Sequence, residues 1–188
     1  MRRSALDGLA GSLLSVERAE ALELPGAIVA AVLVTLYEHN GALRILLTER
    51  HRDLPHHAGE ISFPGGQREP DDPSLLATAL RESHEEIGLD PDAVTVAGAL
   101  QPTPTIATGY AIHPFVGVAA PGSTWMMNPS EVSAVIELPL VALAAGYARR
   151  RLQRRGVSLR ADTYLADGHM VWGATARILA DLLDRLSL

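Results

Sequence analysis

Between Phe63 and Leu89 the chain reads FPGGQREPDDPSLLATALRESHEEIGL, and no other stretch constrains the fold as tightly. It opens on a glycine turn, runs through an acidic loop and ends in one helix of defined length. Asp72 is a good N-cap, and Pro73 sits where a missing N–H costs nothing. Gly88 supplies the left-handed residue that stops the helix. At roughly 100° per residue, Leu75, Leu76, Ala79, Leu80, Ser83 and Ile87 share an arc of about 140°, the expected buried stripe. Glu82, Glu85 and Glu86 fall beside it, in an arc of about 100°.

Three carboxylates spaced i, i+3 and i+4 repel one another and weaken an isolated helix. Two readings follow. They form a solvated acidic face, or they surround a hard divalent cation, which favours concentrated oxygen ligands. Gly65 and Gly66 permit close backbone approach to a ligand or metal, and Arg81 stands ready to orient or neutralise a carboxylate.

Arg81, Glu82, Ser83, His84, Glu85, Glu86, Ile87, Gly88 and Leu89 resemble the Nudix box. That signature is a glycine, a spaced acidic residue, Arg-Glu, an apolar and a free position, Glu-Glu, then Gly and an apolar residue. Ser83 takes the first apolar place. The loop before Arg81 is one residue longer than the common form, so the early acidic position falls on Asp72 counted forward and on Pro73 counted back. The resemblance implies an α/β chain with the Nudix α/β/α sandwich, a mixed sheet between helices. It also implies that Glu82, Glu85 and Glu86, with the Gly66 carbonyl, hold Mg2+ or Mn2+ for phosphoanhydride hydrolysis. Arg81 would organise the carboxylates, and the proton acceptor would be Glu85 or, outside the box, Glu131.

The stretch LLTERHRDLPHHAGEISFPGG, residues 46–66, narrows the resemblance. Leu46, Leu47, Thr48, Arg50, Gly59, Phe63, Pro64, Gly65 and Gly66 are similar to the signature of the coenzyme A pyrophosphatase branch. His51 stands where that branch usually has Ser or Ala, and Pro55 where it often has Arg. The implied substrate is a small nucleotide, coenzyme A, split into 3′,5′-ADP and 4′-phosphopantetheine. The branch also implies that Thr105 and Tyr110, in PTPTIATGY, lie near the substrate, although turn chemistry accounts for the same residues. Other Nudix substrates (ADP-ribose, a nucleotide sugar, a nucleoside triphosphate) form one alternative. A non-catalytic Nudix-fold regulator forms another, and the intact Glu82, Glu85 and Glu86 speak against it.

Length and charge set the frame. At 188 residues the chain is expected to be one Nudix domain, residues 1–188, with an N-terminal helix at 1–24 as an appended element. That helix reads as a lid, a homodimer arm or plain packing. A net charge of −6 implies no general affinity for nucleic acid. With no cysteine, disulfides and thiolate metal sites are excluded. No apolar run reaches membrane-spanning length and no signal-peptide core is present, so cytoplasmic residence is the expectation.

Ala27–Tyr37 and Leu43–Thr48 read as central strands joined by a His39-Asn40-Gly41 turn. Adjacent His56 and His57 point apart and make a poor metal site. Arg50 and Arg52 are better candidates, either as phosphate ligands, because guanidinium pairs with phosphate bidentately, or as solvated loop arginines. Strands are expected at 94–100, 111–118, 129–140 and 157–165, and a helix at 171–186. Arg149, Arg150, Arg151, Arg154 and Arg155 read either as a dock for the ribose 3′-phosphate of coenzyme A or as a solvated helix end.

Overall fold

The computed structural model describes residues 5–24, 28–51, 59–105, 108–120, 123–154 and 156–188. Two short helices come first, α1 (Ala5–Ala10) and α2 (Val16–Glu20). The single N-terminal helix expected from the pattern is therefore broken. Gly11 and Ser12 follow α1, Leu14 forms a β-bridge with Ala99, and Ser15 caps α2 by accepting from the Arg18 N–H. Glycine and a competing serine cap outweigh the amphipathic spacing.

β1 (Ile28–His39) and β2 (Ala42–Arg50) form a hairpin. Asn40 and Gly41 both take positive φ, 52° and 75°, as a two-residue hairpin turn requires. Next come β3 (Ile61–Ser62), β4 (Gly65–Gln67), α3 (Leu75–Ile87), a 3-10 turn at Pro91–Ala93, β5 (Val94–Ala99), β6 (Thr103–Pro104) and β7 (Tyr110–Ala119). β8 (Val132–Pro139) leads directly into α4 (Leu140–Ala145). β9 (Tyr147–Arg154), β10 (Val157–Ala166), β11 (His169–Trp172) and α5 (Gly173–Arg185) complete the chain.

β1 is the spine. It pairs parallel with β7 on one side and antiparallel with β2 on the other, so the main sheet is mixed. β1 and β2 stay paired only from Leu36–Ile45 to the turn. Beyond that they part, and the gap is filled by β4 along β1 and β3 along β2. The FPGG turn thus sits in a fork of the sheet, with the Pro64 carbonyl accepting from Leu33 N–H at 2.9 Å.

Alternation along β1 divides the core. Ala31 and Leu33 pack with Leu46, Leu75, Ala79, Ile87 and Phe115 under α3. Val32, Val34 and Leu36 face the opposite way, toward α4 and α5 through Leu140, Leu143, Leu179 and Leu182. Helices on both faces of a mixed sheet make the α/β/α sandwich.

Three further expectations need correction. Ser74, not Asp72, caps α3, with its side chain accepting from Ala77 N–H at 3.1 Å. The arginine run is not a helix end: β9 pairs with β10 and β10 with β11 in a second, three-stranded sheet. The last helix starts at Gly173, because residues 169–172 are first used as β11. Pro55, His56, His57 and Arg155 lie outside the described residues.

Gly146 links α4 to β9, and a Cβ there would overlap the Leu165 backbone carbonyl. Gly146→Ala should therefore destabilise the protein by about 1–3 kcal/mol in urea unfolding, the usual range for overpacking a rigid contact. An unchanged midpoint would mean that the second sheet gives way freely at this joint.

Candidate active site

Backbone and carboxylates meet at the fork. Gly65 has φ of 153°, and a Cβ there would overlap the Ala31 carbonyl and Val32 Cα. A Cβ on Gly66 would overlap the Glu82 carboxylate. Only glycine fits at the first position, and at the second a Cβ would displace the Glu82 carboxylate.

Glu86 is 5% exposed, and among the described residues its Oε2 is buried without a hydrogen-bond partner. Desolvation, then the charge of Glu82, pushes its carboxyl up to about 8; Glu131 acts in the same direction, Arg50 and a Gly65 backbone hydrogen bond in the other. Glu82 is raised as well, first by desolvation and further by Glu85 and Glu131, against the pull of Arg81. Glu82, Glu86, Glu131 and Arg50 therefore share one electrostatic neighbourhood.

Arg81 is the hub beside it. Its Nε and Nη2 donate to the two oxygens of Asp72 at 2.9 and 3.0 Å, a bidentate pair. Its Nη1 donates to Glu82 Oε1 at 3.0 Å and to Glu85 Oε2 at 3.1 Å. Asp72 is 7% exposed and also accepts from Glu69 N–H and Thr78 Oγ1, each at 2.9 Å. The hydrogen bonds from Arg81, above all, hold its carboxyl well below the usual carboxylate range. Glu85, by contrast, is about half exposed.

The segment before β8 closes the far side of the cluster. Met126 N–H and Asn128 N–H donate to the Ile87 and Glu86 carbonyls, each at 2.8 Å. Glu131 Oε1 accepts from Asn128 Nδ2 at 3.1 Å, and the Glu131 carbonyl accepts from His51 N–H at 2.8 Å.

Among the described residues no three His, Asp or Glu side chains stand as a ready-made ion cage; Arg81 holds Glu82 and Glu85 together through Nη1. The orphaned oxygen of Glu86 carries more weight, since a buried carboxylate without a partner is costly and a cation would relieve it. The donors are all hard oxygens, as Mg2+ and Mn2+ prefer. The residues fit such an ion.

The NUDIX domain model matches residues 27–157. The chain belongs to the NUDIX family. It is 44% identical over 140 residues to the uncharacterized Nudix hydrolase NudL of Salmonella paratyphi B, covering 73% of this chain and 72% of that one. Its fold is similar to a Nudix hydrolase from M. smegmatis, RenU (TM-score 0.54, 22% identity, 71% of this chain and 81% of that one). It is also similar to a C. elegans Ap4A hydrolase (TM-score 0.52, 18% identity, 61% and 82%). Membership places the chain among hydrolases of nucleoside diphosphate derivatives, a family that generally uses divalent cations such as Mg2+ or Mn2+. Among the described residues no helix is long and apolar enough to cross a membrane.

The fold gathers Gly66, Arg81, Glu82, Glu85, Glu86, Glu131 and Arg50 at the fork. Thr105 and Tyr110 close their own turn instead: Tyr110 N–H donates to Thr105 Oγ1 at 2.8 Å, and Thr105 N–H to the Tyr110 carbonyl at 2.7 Å. Arg52 lies outside the described residues. Sequence reasoning missed Asp72 as the anchor of Arg81, and missed Asn128 altogether, although Asn-Pro-Ser ahead of Glu131 is a turn signal.

Three outcomes are expected. The Glu86 pKa is raised from 4.5 to about 8 on folding, so its contribution to stability is complete below about pH 4.5 and lost as pH rises through about 8. In chelator, the Tm should fall across that window, and fall less in Glu86→Gln; equal slopes would mean the carboxyl is not strained. Asp72→Asn should cost about 3 kcal/mol in urea unfolding, the low end for a broken buried ion pair, because Arg81 keeps Glu82 and Glu85. Glu85→Gln, at an exposed pair, should stay within about 0.5 kcal/mol.

Proposed function

We propose that this chain hydrolyses the diphosphate bond of coenzyme A or a close derivative. The observation that carries the reaction is the Glu86 oxygen that is buried with no partner among the described residues, in a carboxylate that shares its surroundings with Gly65 and Glu82. Glu82, Glu86 and Glu85, with the Gly66 carbonyl, would hold Mg2+ or Mn2+. When bound, the ion neutralises diphosphate oxygens and lowers the pKa of a bound water.

The chain's own residues supply the rest. Arg81 keeps Glu82 in place, and Asp72 keeps Arg81 in place. Arg50, at the end of β2, takes a phosphate oxygen and offsets the crowded negative charge. Water oxygen attacks phosphorus, the anhydride P–O bond breaks, and the water proton passes to a carboxylate. Glu131 suits that role better than Glu85: Asn128 occupies its Oε1, leaving Oε2 for the proton, whereas Glu85 is bound to Arg81 and half in solvent.

The substrate assignment draws on Leu46 to Gly66 and on the second sheet. On the hairpin of β9 and β10, Arg149, Arg151 and Arg160 are exposed, and Arg151 stands directly opposite Arg160. Like charges in register weaken a hairpin, so an anionic ligand here offsets a built-in repulsion. Coenzyme A carries a third phosphate, on the ribose 3′ oxygen, and we assign it to this face.

The test is a mass-spectrometric product assay on coenzyme A, dephospho-coenzyme A, ADP-ribose and dGTP, with Mg2+ and with Mn2+. Coenzyme A should release 4′-phosphopantetheine faster than the others react, dephospho-coenzyme A should show a raised KM, and Glu86→Gln should lose at least about 100-fold in kcat. Preferred turnover of ADP-ribose or dGTP would discard the coenzyme A reading; full activity of Glu86→Gln would sink the mechanism.

A further inference from the structure

Asn128 does more than fill a turn. Its carbonyl accepts from Glu131 N–H at 3.1 Å and from Val132 N–H at 3.0 Å, while its own N–H is bound to the Glu86 carbonyl. Its side-chain Oδ1 accepts from Ser130 N–H at 3.2 Å and from Ser130 Oγ at 2.7 Å. A backbone N–H can only donate, so the atom facing it must be the amide oxygen. This fixes the flip of the amide and turns its NH2 group toward Glu131 Oε1, at 3.1 Å. One residue thus ties the last turn of α3 to the Glu131 segment and donates to the Glu131 carboxylate.

We propose that Asn128 is a positioning residue for Glu131: its amide fixes one carboxylate oxygen so that the other is held for the water proton. The inference rests on the reading of Glu131 as the base. A held carboxylate keeps one geometry at the site, whereas a free glutamate side chain samples several rotamers.

Asn128→Asp separates this role from a merely structural one. The substituted carboxylate still accepts from Ser130 and keeps the turn, but it cannot donate to Glu131. We expect KM within about threefold and kcat lowered by about 100-fold, the low end of what a displaced general base loses. The Tm should fall, because the new carboxylate faces that of Glu131; the uncharged serine variant should keep its Tm. Asn128→Ser keeps an acceptor for Ser130 without adding charge and is too short to reach Glu131; it should show the same split. In a Glu131→Gln background either change should cost less than about threefold, because the two residues act as one unit. Wild-type kcat in Asn128→Asp and Asn128→Ser, with Glu131→Gln crippled, overturns the positioning role and leaves the base in place. The same loss with and without Glu131→Gln also overturns it. Full activity of Glu131→Gln removes the base reading itself, and this proposal with it.

Discussion

The approach of Gly65 and Gly66 to β1 and α3 is the constraint on which the remaining architecture depends. A side chain at Gly65 would collide with the sheet backbone, and one at Gly66 would push the Glu82 carboxylate out of its place, so the first position must be bare for sheet and loop to meet and the second for the carboxylate to stay. Because the turn occupies the fork, β1 and β2 cannot stay paired along their length, and the short β3 and β4 exist to satisfy the backbone groups the parting leaves open. The same closeness strips water from Glu86 and Glu82. Burial first, and then the mutual repulsion of the neighbouring carboxylates, raises both pKa values.

Crowded acids need a counterweight, and Arg81 is it. One guanidinium engages Asp72 bidentately and reaches Glu82 and Glu85 with its remaining nitrogen. The arrangement is stratified by burial. The Asp72 end is nearly closed to solvent and fixes the arginine, while the Glu85 end is open and contributes little to stability. The enclosed half, Asp72 with the largely buried Glu82, holds the arginine in position, and the open half leaves Glu85 in contact with solvent.

Much of this was legible in the residues, and the failures have a common cause. Leu75, Ala79, Ser83 and Ile87 were readable as the buried stripe because helical spacing is local, and the Gly88 stop rests on one backbone angle, φ 65°. The Ala27–Tyr37 run and the Asn40–Gly41 turn announced the central hairpin for the same reason. Asp72 was misread because a helix cap and an ion-pair partner look alike in sequence; the choice is made by Thr78 and Arg81, one and two turns into the helix. β10 was readable at 157–165, but its partner β9 was missed because a run of arginines masks the alternation of a strand. Asn128 could not be ranked without knowing that its segment returns to the end of α3.

The parallel pairing of β1 with β7 has a bearing on how the molecule assembles. Ile28 meets Tyr110, and Leu36 meets Val118, so the spine of the sheet waits for a partner from the far side of α3. The β1–β2 hairpin closes on a tight turn within microseconds, whereas the β1–β7 ladder must first overcome the entropy of a long loop. Until then β1, buried continuously from Ala30 to Leu36 in the finished fold, presents a long apolar edge to any other strand it meets. In a chain emerging from the ribosome, the segment most prone to mispairing is the one whose correct partner is made later, and the interval between them is the window in which a chaperone would matter most.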